Sequence, residues 1–274
     1  MTVHLVKGRY VNSYIIEQGK ELCVIDVALR GEKYVMGYIT QTLERPLEDV
    51  SLVICTHGDP DHSGGVLALA KHCNAKVGFP YATHSTLQKS ANDPTGFIFR
   101  FSTSLVEMFR PRMWSMYVSS DRDVKAKTLP TFTPESSGSE HKSAKEVEGD
   151  EGEVAMEDAV DVSEDRKQAD YRLKHKKAIP GFPDWTVIHT PGHSWDSCCF
   201  YSESTGELMS GDTLLGSKKK GQVVVASIYS NPIQMRNSLK RLRRMNLTTI
   251  YPAHGSPISG EGLLDHLAHW PAKS

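Results

Sequence analysis

Apolar and polar positions fall first into short strand-like runs. "SYIIEQG" and "KELCVIDVAL" read as two strands of a hairpin joined through Gly19-Lys20. "GEKYVMGYITQTL" then carries apolar residues at helical spacing, as a helix covering a sheet face does. "VSLVICT" is a continuous β-branched run, too short for a typical helix, and predicts a buried strand that ends at His57. Helical periodicity restarts in "HSGGVLALAKHC", and "AKVGFP" predicts another short strand. Further on, "WTVIHT", "CCFYSES", "GELMSGD" and "VVVASIY" predict strands. "NPIQMRNSLKRLRRMN" predicts a helix, with Asn231 as N-cap, Pro232 at the first helical position and basic residues near the end. "TTIYPAHG" predicts a final strand leading to His254. Strands alternating with helices argue an α/β architecture. No internal repeat is evident, although each half offers strand pairs followed by a helix.

Between Ser90 and Lys177 the pattern breaks. Phe97 to Val118, "FIFRFSTSLVEMFRPRMWSMYV", is aromatic and apolar but interrupted by Arg100, Arg110, Pro111 and Arg112. It reads as part of a lid-like helical insertion over about residues 90–133, as a dimer contact, or as a membrane-surface element. Residues from about 134 to 170 are acidic and poor in large apolar side chains. Such a segment buries too little surface to offset its ordering entropy, so a largely disordered insertion is expected there. A solvated linker is its plain reading and a regulatory or docking role the alternative. The rest of the 274 residues is expected to form a single domain.

Composition adds constraints. With 39% hydrophobic and 24% charged residues, the chain sits in the ordinary globular range. A formal charge of -1 gives no broad reason to expect a nucleic acid or an anionic membrane. The basic run "LKRLRRM" could hold an anionic substrate or nucleic acid, but on a helix its plainer reading is a solvated face. No apolar run approaches the roughly 18 to 20 residues of a membrane span, and no signal peptide is apparent, so a cytoplasmic protein is expected. A small-molecule substrate is the expected partner, with a homodimer left open. The five cysteines form no CxxC pair and predict free buried thiols.

The candidate chemistry lies at the strand ends. "ICTHGDPDHSGG" packs His57, Asp59, Asp61 and His62 into six positions on the loop leaving a buried strand. "TPGHS", "SGDTL" and "YPAHG" add His193, Asp212 and His254, each after a short strand and beside glycine. Strand ends are rigid supports, and glycines let backbones approach, so these side chains can converge on one cleft. Two divalent ions need about three terminal ligands each plus a bridging carboxylate. The seven residues supply that count. His57, Asp59 and His193 are assigned to one metal, Asp61, His62 and His254 to the other, and Asp212 to the bridge. The plain alternative is a set of polar residues that happen to lie near glycines.

The pattern His-x-Asp-x-Asp-His, followed downstream by His193, Asp212 and His254, resembles the signature of the metallo-β-lactamase fold superfamily. The resemblance covers nearly the whole chain outside Ser90 to Lys177. It implies a four-layer αββα sandwich with a dinuclear site at one edge, between the sheets. Asp26 matches an aspartate that closes the early hairpin and supports the site in that family. A simple turn aspartate explains it equally well.

Asp59 departs from the usual pattern, which has histidine there. A carboxylate hardens the first metal's shell and adds negative charge, favouring iron or manganese relative to a histidine-rich site, although affinity order still favours zinc. Zinc is therefore the leading expectation, with iron or manganese open. The favoured activity is hydrolysis of an ester, lactone or thioester by a metal-bridging hydroxide, with Asp61 orienting the nucleophile. One alternative is a diiron redox protein resembling flavodiiron proteins, which carry glutamate at the position of Asp59. That role would need an external electron donor, since the chain ends about twenty residues after His254 and has no rubredoxin-type cysteine pairs. A non-catalytic metal-binding protein is a further alternative. Trp195 and Asp196, where the family often has a small residue, are expected to narrow the cleft or orient a ligand. His4, His72, His84, His141, His175, His189, His266 and His269 lack companion motifs and read as ordinary surface or core histidines.

Overall fold

A computed structural model describes residues 1–8, 11–81, 169–217 and 221–267, with isolated positions 95, 98, 101, 102 and 105 between them. The acidic segment of about residues 134–168, most of the lid-like segment, His84, His141 and His269 lie outside the described residues.

Strands β1 (Thr2–Lys7), β2 (Asn12–Gln18), β3 (Glu21–Ile25), β4 (Val50–Ile54), β5 (Lys76–Pro80) and β6 (Tyr171–Leu173) form one sheet in sequential order. The first three are antiparallel and the rest join in parallel. The second sheet takes β7 (Ala178–Ile179), β8 (Phe182–His189), β9 (Cys198–Ser202), β10 (Glu207–Gly211), β13 (Thr249–Pro252) and β14 (Ile258–Ser259), with β10 and β13 parallel. Strands β11 (Leu215–Ser217) and β12 (Gln222–Val224) make a separate hairpin.

Three apolar clusters separate four layers. Alternate residues of β2, β3 and β4, namely Ile15, Leu22, Val24 and Val53, pack on Val35, Val66 and Leu69 of helices α1 (Glu32–Gly37) and α3 (Val66–Cys73). Their neighbours Tyr14, Ile16, Cys23, Ile25, Leu52 and Ile54 meet Trp185, Val187, Phe200 and Met209 between the sheets. The outer face of the second sheet, with Ile188, Cys199, Tyr201 and Leu208, packs on Met235, Leu239 and Leu242 of helix α4 (Pro232–Leu242). Strands buried on both faces read as continuous apolar runs, which is why "VSLVICT" shows no alternation. The resulting αββα arrangement agrees with the expected fold.

Local details agree in most places. Gly19 has φ 62° in the tight β2–β3 turn, and the Asn231 side chain accepts the N–H groups of Ile233 and Gln234 at the start of α4. Others differ. The first helix ends at Gly37 and continues over Tyr38–Thr42 as a wider π-type coil. The strand expected over "VVVASIY" stops at Val224. Beyond it the Ile228 carbonyl receives a hydrogen bond from His193 rather than from a neighbouring strand. The short strands β1, β6, β7, β11 and β14 had no sequence expectation. All five cysteines are buried and free of disulfides, and burial pushes Cys199 up to about 11 and Cys73 up to about 12. Among the described residues no helix is long and apolar enough to cross a membrane.

Candidate metal centre

The loop leaving β4 is locked by the carboxylate of Asp26. This residue sits at φ 58° after β3, is buried, and accepts the Thr56 N–H at 2.7 Å and the Thr56 hydroxyl at 2.9 Å. The Thr56 hydroxyl oxygen lies 3.1 Å from His57 Nδ1, and Asp26 Oδ2 lies 3.0 Å from His62 Nδ1. Each ring thus spends Nδ1 on the protein and turns Nε2 inward, the arrangement by which outer partners orient metal-ligating histidines. The short helix α2 (Pro60–Ser63) begins with Asp59 as its cap residue and Pro60 at its first position, and this turn brings Asp61 and His62 beside His57. Both roles weighed for Asp26 are therefore present, since it makes the turn and supports the site.

The second sheet contributes three more strand ends. His193 follows β8, and its Nδ1 lies 2.7 Å from the Ile228 carbonyl. Asp212 follows Gly211, whose φ of 50° and tight approach to Thr56, 2.6 Å from where a Cβ would stand, leave room only for glycine. His254 follows β13, and the next residue, Gly255, has φ 97° and lies against the backbone of Gly216.

The seven side chains predicted from sequence meet in one cleft. His57 Nε2 and His193 Nε2 lie 3.3 and 3.5 Å from Asp59 Oδ2. His62 Nε2 and His254 Nε2 each lie 3.5 Å from Asp61 Oδ2. Asp212 stands between the two triads, with Oδ2 3.6 Å from His193 Nε2 and Oδ1 3.4 and 3.3 Å from His62 and His254 Nε2. A tetrahedral ion with bonds of about 2.1 Å separates its ligand atoms by about 3.4 Å, so the spacing fits two such ions. The buried atoms His57 Nε2, His62 Nε2 and Asp212 Oδ1 find no hydrogen-bond partner, which a cation would supply.

The electrostatics favour positive charge in the cleft. Burial opposes ionisation of Asp212, but His62 and His254 hold it well below the usual carboxylate range. For Asp61 burial likewise acts against charge, and the hydrogen bond from His254 with the charge of His62 prevails, lowering it. Burial alone would depress His254 and His62. Asp212 and Asp61 instead push His254 up to about 10, while Asp26 and Asp212 raise His62 well above its ordinary value.

Three residues of the site had no forecast role or only a vague one. Thr56 is a buried hub whose sequence signal is its place directly before His57. Asn12 is a polar residue on a buried strand, a legible anomaly. Asp196 is buried and its carboxylate accepts the Gly58 N–H. Trp195 is 45% exposed beside it. Among the other histidines, His4 bonds Glu17, His189 bonds the Trp195 carbonyl and His266 the Val223 carbonyl.

The family model of the metallo-beta-lactamase superfamily matches residues 6–100 and 134–254. The chain belongs to that superfamily. Among curated proteins it is 28% identical over 92 residues to a probable metallo-hydrolase, YqjP, of Bacillus subtilis, covering 32% of this chain and 29% of that one. It is 39% identical over 72 residues to the lactamase-like protein aptB of Emericella nidulans, covering 26% of this chain and 21% of the relative. It is 34% identical over 72 residues to an atrochrysone carboxyl ACP thioesterase of Aspergillus fumigatus, covering 26% and 15%. These matches span less than a third of each relative. Among solved structures it resembles an archaeal superfamily protein, ST1585 from Sulfolobus tokodaii, with a TM-score of 0.56 at 15% identity over 99% of this chain and 87% of that one. It also resembles the Thermus thermophilus protein TTHA1429, with a TM-score of 0.54 at 19% identity over 97% and 78%. At these identities the structural likeness speaks for the fold.

Proposed function

We propose that the chain is a dinuclear metal-dependent hydrolase acting on an ester, lactone or thioester. One observation carries the reading: two His/Asp triads lie on either side of Asp212, whose two carboxylate oxygens address one triad each. His57, Asp59 and His193 would hold the first ion, Asp61, His62 and His254 the second, and Asp212 both. Zinc is preferred over iron or manganese by affinity order. Two such ions supply an activated water at neutral pH and polarisation of the scissile carbonyl.

The chain's own groups support the rest of the chemistry. Three carboxylates against two divalent cations leave one positive charge, enough to attract an anionic nucleophile. Asp61 directs Oδ2 at His62 and His254, which leaves its other oxygen to orient a water and to take up a proton for the leaving group. Exposed apolar side chains adjoin the ligand segments. The Leu29 N–H bonds the Pro60 carbonyl next to Asp61, Trp195 lies two residues beyond His193, and Ile233 lies two residues beyond Asn231, whose N–H bonds the Gly192 carbonyl. Exposed apolar side chains on segments next to the ligands favour an acyl substrate over a bare phosphate. The thioesterase and metallo-hydrolase names of the curated relatives agree with that chemistry.

Asp59 favours a second reading, a diiron redox protein, because it replaces a neutral ring with a hard anionic oxygen beside His57 and His193. A panel of esters, lactones and acyl thioesters run beside an oxygen-consumption assay separates the two. Turnover of an acyl substrate by the zinc-loaded protein supports the hydrolase. Reductant-dependent oxygen uptake by the iron-loaded protein, without hydrolysis, contradicts it.

A further inference from the structure

Each half of the molecule reaches across to hold the metal-site turn of the other. From β2 in the first sheet, the buried Asn12 donates both Nδ2 hydrogens, to the Pro252 carbonyl at 3.1 Å and the Gly255 carbonyl at 2.9 Å. Its backbone N–H bonds the Ala253 carbonyl at 2.8 Å. Three carbonyls flanking His254 are thus gripped by one residue about 240 positions away in sequence. Tyr14, two residues along the same strand face, adds its hydroxyl to the Pro252 carbonyl at 2.7 Å.

The opposite reach starts between β8 and β9. Asp196 is fully buried, and its Oδ2 accepts the Gly58 N–H at 3.0 Å, between His57 and Asp59. Its Oδ1 accepts the Ser194 hydroxyl at 2.8 Å, next to His193. One carboxylate therefore ties together the segments carrying all three members of the first triad. Next to it, the Cys198 N–H bonds the Thr56 carbonyl at 2.9 Å, so the two loops are joined along their backbones as well.

We propose that Asn12 and Asp196 are positioning residues with separate tasks: Asp196 sets the first metal subsite through Gly58 and Ser194, and Asn12 sets the second through the His254 turn. Neither belongs to the candidate ligand groups. Each fixes backbone that would otherwise carry its ligand as a loose turn, and a ligand displaced by a fraction of an ångström coordinates poorly. The assignment rests on the dinuclear reading. It predicts that the two residues fail differently.

The test measures zinc content and competitive chelator titration on folded, purified wild type and variants, with circular dichroism and thermal melts alongside. Asn12→Asp keeps the size of the side chain but turns oxygens toward two carbonyls. It should leave one tightly bound ion and weaken the other by about 10- to 100-fold. Asp196→Ala should weaken the tighter ion by a similar factor, and Asp196→Asn, which still accepts the Gly58 N–H, should restore most of it. In a His254→Ala background, Asn12→Asp should cost nothing further, whereas Asp196→Ala should. Should Asn12→Asp not fold, Asn12→Ser, which retains one donor, should show the same selective loss in smaller measure. Folded variants that bind both ions as the wild type does, or that weaken both equally, overturn the proposal while leaving the dinuclear site intact. A folded wild type that binds no zinc overturns the site reading, and this inference with it.

Discussion

The two triads differ in how much water they see. In the first, the His57 and His193 side chains are 0% and 5% exposed and Asp59 is 22% exposed. In the second, His62 is fully buried, but Asp61 and His254 are 41% and 31% exposed. The first is enclosed by the loops after β4 and β8, which bond to one another through Asp196 and Cys198. The second has one wall toward solvent. On our reading, the enclosed triad anchors an ion and the open one is where substrate and water enter, so equal ligand counts serve unequal tasks.

The change that reaches furthest into this contrast is Asp212→Ala, because it removes the group shared by both triads. Loss of the bridge should abolish stable binding of a two-ion centre and lower kcat at least about 100-fold, read from metal content and from turnover on whichever ester or thioester proves active. Retention of both ions would separate Asp212 from the centre.

Asp26→Ala acts one step back. It leaves all seven candidate ligands in place but frees the Thr56 hydroxyl and His62 Nδ1, so the orientation of His57 and His62 is lost. Metal affinity should fall by about 10- to 100-fold, measured by chelator competition. Because one of these rings belongs to each triad, both ions should weaken. A loss confined to one would show that Thr56 and His62 are held independently.

Asn231→Ala provides the small effect. Its cap bonds at the start of α4 contribute about 1 kcal/mol to stability, so urea unfolding should shift by that amount. The turn it begins also holds Gly192, yet both triads keep their ligands, and metal content should not change. A fall in zinc would mean that the start of α4 also sets His193.

Much of this centre is legible in the sequence, for a physical reason. Ligands that must be rigid are placed at strand ends, and strands buried on both faces leave apolar runs that point to the next polar residue. "VSLVICT" before His57 shows this, whereas the strand before His254, "TIYP", is buried only at alternate positions. Asp26, Thr56, Asn12 and Asp196 are harder to assign because their partners lie about 30 to 240 positions away, in contacts that only the packing of two sheets creates. Short edge strands such as β7 and β14 are equally silent, since two residues carry no period. "VVVASIY" misleads in the other direction. Its β-branched composition favours a strand, but the backbone beyond Val224 is taken up by His193.

The central claim is that these seven side chains hold two ions. Elemental analysis of protein purified without added zinc or chelator addresses it directly. About two transition-metal equivalents per chain, falling to about one after brief chelation that strips the open triad first, is the predicted result. A folded protein that carries no metal, and takes up none when zinc is supplied, would contradict the account.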